Sequence, residues 1–151
     1  MVRTRKIPNL NKLKILTNTQ EYKANHCTVR YYPEGILIST LADDVELSIE
    51  DVIDQRKLYY ELTKGQPHVI LVIAGHHTSA TKEARDYAAT HPVPGRLAEA
   101  IIIKSISVRI LGNVYINFHK PTVPTKMFNK EEDAIEWLSK FLKIDKNKLL
   151  A

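Results

Sequence analysis

The segment Ala74-Gly75-His76-His77-Thr78-Ser79-Ala80-Thr81 gathers residue types from which chemistry is often built, two imidazoles followed by hydroxyls. A metal site is the first possibility. Adjacent residues on an extended segment point to opposite sides, so His76 and His77 do not readily hold one ion. No His-x-x-x-His or Glu-x-x-His spacing supports them, and His26, His68, His91 and His119 are scattered. The single Cys27 excludes a multi-cysteine zinc site and an internal disulfide framework. A hydrolase fits no better: Ser79 lies near His77, but no oriented acid and no Gly-x-Ser-x-Gly elbow accompany it. Five glycines form neither a dinucleotide fingerprint nor a Walker loop. Cys27 falls in a strand-like stretch and reads as a small packing residue. The sequence therefore predicts no catalytic residue, no metal and no cofactor.

Other residues suit binding. Lys120-Pro121-Thr122-Val123-Pro124-Thr125-Lys126 is stiffened by two prolines, and Lys120, Thr122, Thr125 and Lys126 offer donors to an anion or a peptide. The bland alternative is a rigid crossover that places the next strand. Arg109 and Asn113 are four apart, on one helix face. Trp137 falls off its apolar stripe, so it either covers a sheet edge or meets a partner. Residues 1–20 hold Arg3, Arg5, Lys6, Lys12 and Lys14 and no acid, leaving 17 basic and 17 acidic residues in the other 131. The formal charge of +5 thus belongs to one end. Five cations without interleaved aromatics are a weak nucleic-acid footprint, and a solvated leader is the simpler reading. The longest apolar run, Val69 to Ala74, falls far short of the roughly 20 residues that span a bilayer. No signal-peptide core is read in the N-terminus, and a reducing cytoplasm is the expected location.

These residues need elements to position them. Cys27 to Tyr31 alternates by two and, after the turn Pro33-Glu34-Gly35, pairs with Ile36 to Leu41 as a hairpin. Ser48 with Asp51 predicts a helix start, and Gly65 and Pro67 stop that helix near Lys64. His68 to Ala74 reads as a buried strand. Thr78, Ser79 or Thr81 caps a second helix running to Thr90. After a proline-rich connector, Ala98 to Lys104 is another strand. A third helix runs from Ser105 or Ser107 to Phe118, although Ile106, Val108 and Ile110 would also suit a strand. Gly112 within it implies close packing. Thr125 to Phe128 is a short strand, and Asn129 with Glu132 caps the last helix. The order ββαβαβαβα implies an α/β domain with a mixed, mostly parallel sheet, an N-terminal hairpin and four helices. The predicted organisation is a basic extension (1–24), the domain (25–142) and a basic tail (143–151).

The hairpin, Thr81-Lys82-Glu83-Ala84-Arg85-Asp86-Tyr87, Val108-Arg109-Ile110-Leu111-Gly112-Asn113, the Lys120 to Phe128 stretch and Glu131 to Leu138 together resemble the STAS superfamily over residues 25–142. More narrowly, these segments resemble small bacterial STAS-like proteins of unassigned function. The resemblance implies the fold of the anti-sigma-factor antagonists, which is also close to that of CRAL-TRIO lipid carriers. It implies a non-catalytic, protein-binding regulator, sometimes switched by phosphorylation at the start of the second helix. Thr78 or Ser79 stands at that place, without the family's Asp-Ser-Ser-Gly pattern. A phosphate there would meet free backbone N–H groups; helix capping explains the same hydroxyls. Two function classes result: a regulator that binds a protein partner or pairs as a homodimer, and a carrier of a small ligand or lipid in a pocket between helices and sheet.

Overall fold

The computed structural model describes residues 20–149, with side chains as far as Leu142. Arg3, Arg5, Lys6, Lys12 and Lys14 of the basic arm lie outside the described residues, as do the side chains of the basic tail.

The sheet begins earlier than the sequence suggests. β1 (Glu21–Ala24) pairs antiparallel with β2 (Cys27–Tyr32), across a turn in which His26 takes φ 57°. The short stretch Glu-Tyr-Lys-Ala is too polar to announce a strand by itself. Its turn is pinned from outside, because Asn25 N–H donates to Asp54 Oδ2 (2.8 Å) and Gln55 Nε2 donates to the Asn25 carbonyl (2.7 Å). The sheet therefore starts at Glu21, inside the predicted extension. β3 (Ile36–Leu41) completes the antiparallel part. β5 (His68–Ile73), β7 (Arg96–Ile102) and β8 (Thr125–Phe128) then add in parallel, giving the order β1-β2-β3-β5-β7-β8. Two dipeptides, β4 (Glu46–Leu47) and β6 (Ser79–Ala80), pair in parallel as a separate ribbon.

Helix α1 (Ile49–Thr63) starts on the full Ser48–Asp51 capping box and ends with Lys64 in the left-handed region. Helix α2 (Lys82–Thr90) is capped by Thr81, whose hydroxyl accepts from Ala84 N–H. Thr78 and Ser79 are not the cap; they lie upstream of it, and Ser79 belongs to β6. Helix α3 (Ile106–Val114) is capped by Ser105 and continues as a π-helical turn, Tyr115–His119, which ends at Lys120 with φ 51°. The strand alternative for Ile106 to Ile110 is thereby settled. Gly112 packs as its residue type suggested, since a Cβ there would run into the Met127 thioether of β8.

Helix α4 (Glu131–Leu149) covers one face of the sheet, through Ala134, Ile135, Leu138 and Leu142. The Ala98 and Ala100 side chains beneath it are small enough for close approach. Asn129 does not cap α4: its Oδ1 accepts from Arg109 Nη2 (2.6 Å) on α3. Trp137 lies against Phe128 of the edge strand β8 and against Phe141, which is the sheet-edge role. Helices α1, α2 and α3 cover the opposite face and leave a space above it.

Candidate functional site

A cavity of about 160 Å³ lies between the sheet and α1, α2 and α3. Ile70, Val72 and Ile101 form its floor, with Val52, Ala88 and Leu111 among the walls. These residues follow from period-2 and period-3.6 patterning: alternate strand positions face one way, and one helix stripe faces down. Set into this apolar surround are Arg56, Arg85, Arg96 and Glu99.

Arg96 reaches the cavity because β7 is irregular. His68 pairs with Arg96, but Val69 pairs with Ala98, so Leu97 is an extra residue opposite β5. Such a bulge shifts the alternation by one. Arg96 consequently lines the cavity together with Glu99 and Ile101, while Ala98 and Ala100 face α4. The side chain is only 9 % exposed. Its Nε donates to His68 Nε2 (3.4 Å), and its Cζ lies 5.2 Å from the centre of the Tyr59 ring, a cation–π geometry. Arg96 Nη2 is buried and has no hydrogen-bond partner. Among the described residues no carboxylate lies within ion-pair distance of Arg96, and Glu99 acts on it only through its field. Burial lowers the guanidinium to about 10, which still leaves it charged at neutral pH.

The groups around Arg96 are mutually fixed. An arginine only donates, so His68 Nε2 accepts, and Nδ1–H donates to the Gln66 carbonyl (2.8 Å). Burial pushes His68 down to about 4, keeping the ring neutral. The Tyr59 hydroxyl shares a 2.7 Å hydrogen bond with Ser39, and burial raises its pKa. Burial likewise raises Tyr115, helped by the Glu99 charge. The buried Cys27 thiol is pushed up by desolvation, consistent with a packing role.

The other two arginines brace the roof. Arg56 of α1 donates from Nη1 to the His91 carbonyl and from Nη2 to the Ala88 carbonyl, each at 2.9 Å. It supplies the cation that the last turn of α2 lacks. Arg85 of α2 donates from Nη1 to the Ala80 carbonyl and from Nε to His119 Nε2 (3.1 Å). His119 Nδ1–H donates to Asp86 Oδ1 (2.6 Å), and Lys82 Nζ lies 2.9 Å from Asp86 Oδ2. Lys82 first and His119 second hold the Asp86 carboxyl below its usual range. Through His119 the π-helical turn is latched onto α2. His119→Leu removes both latch hydrogen bonds, so amide exchange over residues 115–120 is expected to quicken about tenfold or more. Unchanged protection there in a hydrogen-exchange experiment would contradict the latch.

The residues singled out from sequence are dispersed. Thr78 and Ser79 border the cavity, but Thr78 is 6 % exposed and donates its hydroxyl to the Ala42 carbonyl (2.9 Å). Ser79 is half-buried. His76 is exposed, with its backbone N–H held by Asp43 Oδ1 (2.7 Å), and His77 is exposed at φ 58°. Arg109 and Asn113 are exposed on α3. Lys120 and Lys126 are exposed, Lys126 lying over the Phe128 ring, and Thr125 bonds back to the Val123 carbonyl. Only Thr122 approaches the polar end of the cavity, in a crevice that reaches Arg96, Glu99 and Tyr115. Phe118, at the end of the predicted third helix, is 80 % exposed, whereas Tyr115 lines the cavity. Sequence reasoning passed over Arg96, His68 and Tyr59.

A family model described as a domain of unknown function, DUF7793, matches residues 30–142. The chain belongs to the DUF7793 family. The DUF7793 match contains every residue named in the cavity wall. No curated protein matches the sequence. Among solved structures, the chain is similar to an uncharacterized protein of the DUF3478 family from Shewanella loihica PV-4, described as having a SpoIIAA-like fold. That likeness has a TM-score of 0.50 at 17 % identity and covers 80 % of this chain and 92 % of the other. At such identity it establishes the fold, which is SpoIIAA-like, that is STAS-like, as the sequence resemblance implied. Among the described residues no helix is long and apolar enough to cross a membrane.

Proposed function

We propose that this STAS-like chain is a non-catalytic binding domain that takes a small, largely apolar ligand into the cavity beneath α1, α2 and α3. The observation that carries the reading is the cavity itself, an apolar space of about 160 Å³ in the middle of the domain. A space of this size is large enough for a molecule such as benzene. The latch through His119 fixes the roof over this space.

Native mass spectrometry of freshly purified full-length chain tests the proposal, alongside melting with millimolar benzyl alcohol. The expected results are a small-molecule adduct, a raised melting temperature, or both. Val72→Phe grows a ring from the floor and is expected to remove either effect while the protein stays folded. A bare mass together with a melting temperature that benzyl alcohol does not move contradicts the reading.

A second reading, protein contact, is favoured by one specific feature. Ile106 and Ile110 on α3 and Phe118 on the π-helical turn are 78 %, 60 % and 80 % exposed. A second copy of the chain seated on this stripe would bury it. Sedimentation over rising concentration is then expected to show a dimer that Ile110→Asp abolishes. A monomer at all concentrations would count against self-association.

A further inference from the structure

We infer that Arg96 is the anchor for the acidic head of the cavity's ligand, which is a small monocarboxylate with an apolar body. The inference rests on the ligand-binding reading and names the ligand's chemistry.

Among the described residues three guanidinium groups line the cavity, and two of them are bonded to the helices of the roof. Both Nη atoms of Arg56 hold the end of α2, and Arg85 holds His119 and the Ala80 carbonyl, with Asp86 one hydrogen bond away. Arg96 differs. Among the described residues nothing acidic touches it, its Nη2 has no acceptor, and what it does touch is a neutral imidazole and the face of a phenol. A buried cation in this condition is costly unless an anion joins it. His68 and Tyr59 orient the group without neutralising it, which is the arrangement a binding site requires and a structural ion pair does not.

The surroundings set the anion's charge and body. Glu99 shares the wall with Arg96 and opposes a second negative charge. Among the described residues no lysine lines the cavity, and one guanidinium with an unpartnered Nη2 suits one carboxylate rather than a phosphate dianion. The remaining lining is mostly aliphatic, and the volume admits about one ring.

Calorimetric titrations of the full chain at pH 7.5 with benzoate, benzyl alcohol and phenyl phosphate test this. Benzoate and benzyl alcohol share the ring and differ in charge. Wild type is expected to bind benzoate at least ten times more tightly than benzyl alcohol, and phenyl phosphate more weakly than benzoate. Arg96→Gln is expected to bind both ring compounds equally. Equal affinity of wild type for acid and alcohol would overturn the anchor while leaving the cavity reading standing. So would a preference for the acid that survives in Arg96→Gln, and tighter binding of phenyl phosphate would overturn the monocarboxylate assignment. If neither ring compound binds, both readings fall. Should Arg96→Gln not fold, the wild-type comparison alone decides.

Discussion

Gly95→Ala is expected to destabilise the protein by about 3 kcal/mol or more, lowering the melting temperature by roughly 10 °C. Gly95 has φ +84°, in the region that favours glycine, which costs an L residue about 1–2 kcal/mol. A Cβ there would also press into the backbone carbonyls of Gly65 and Gln66. Those oxygens belong to the main chain and cannot swing aside as a side chain would. The turn has nowhere to move, because His68 N–H is bonded to the Gly95 carbonyl (3.0 Å) and Arg96 N–H to the Val93 carbonyl (3.1 Å). Since Arg96 is the next residue, any relief of the clash displaces the guanidinium from Tyr59 and His68. Thermal melts of Gly95→Ala should therefore show the loss, and any folded fraction should lose its preference for benzoate over benzyl alcohol. A melting temperature within 2 °C of wild type, against the size-based scaling of a few degrees per kcal/mol, would show that this turn does not constrain the site.

Acid is expected to remove up to about 3 kcal/mol of stability between pH 6.5 and 4 through His68 alone. Burial holds the folded His68 down to about 4, while the unfolded chain titrates near 6.5. Below 6.5 the unfolded state takes a proton that the folded state refuses. Stability from this group is complete above pH 6.5, falls as the pH falls, and levels off below about 4. The ring is fully buried, and protonation would place a second cation beside Arg96. The carboxyls of Asp51 and Asp86 are held low and weaken the fold at more acidic pH, below the ordinary carboxylate range. Urea unfolding at pH 7.5, 5.5 and 4.5 measures the slope. His68→Gln keeps a donor and an acceptor but cannot titrate, so its stability should change less over the same window. Identical slopes in the two proteins would remove His68 from the account.

Much of the fold was legible because its signals are local. Ser48 with Asp51 is a capping box, His68 to Ile73 is a continuous β-branched run, and the short hydrophobic stripe of α4 repeats with a helical period. β1 was not legible, since its register comes from Asp54 and Gln55, some thirty residues away on α1. The Asn129 side chain illustrates the same limit: its local sequence reads as a cap, but Arg109 of α3 holds it. The candidate site was harder still. An arginine after Pro-Gly reads as a solvated turn residue, because arginine is seldom buried without a partner. Only the bulge at Leu97, a property of the β5–β7 pairing, turns Arg96 toward the cavity. The alternation Arg96-Leu97-Ala98-Glu99-Ala100-Ile101 held one clue, a buried-strand pattern with charges on it. His68 was hidden for a similar reason, as a polar residue at the head of an apolar run. The hydroxyl segment at Thr78 and Ser79 was correctly placed beside the second helix, yet Thr81 does the capping and Thr78 ties the loop to Ala42.

The proposed guest occupies the space next to Arg96. The most direct measurement is an isotope-filtered NOESY spectrum of the labelled full-length chain with unlabelled benzoate. Contacts are predicted from the ring protons to methyl groups of Val52, Val72, Ile101 and Leu111. Contacts to Ile106 and Ile110 on the exposed stripe instead, or none at saturating benzoate, would contradict it.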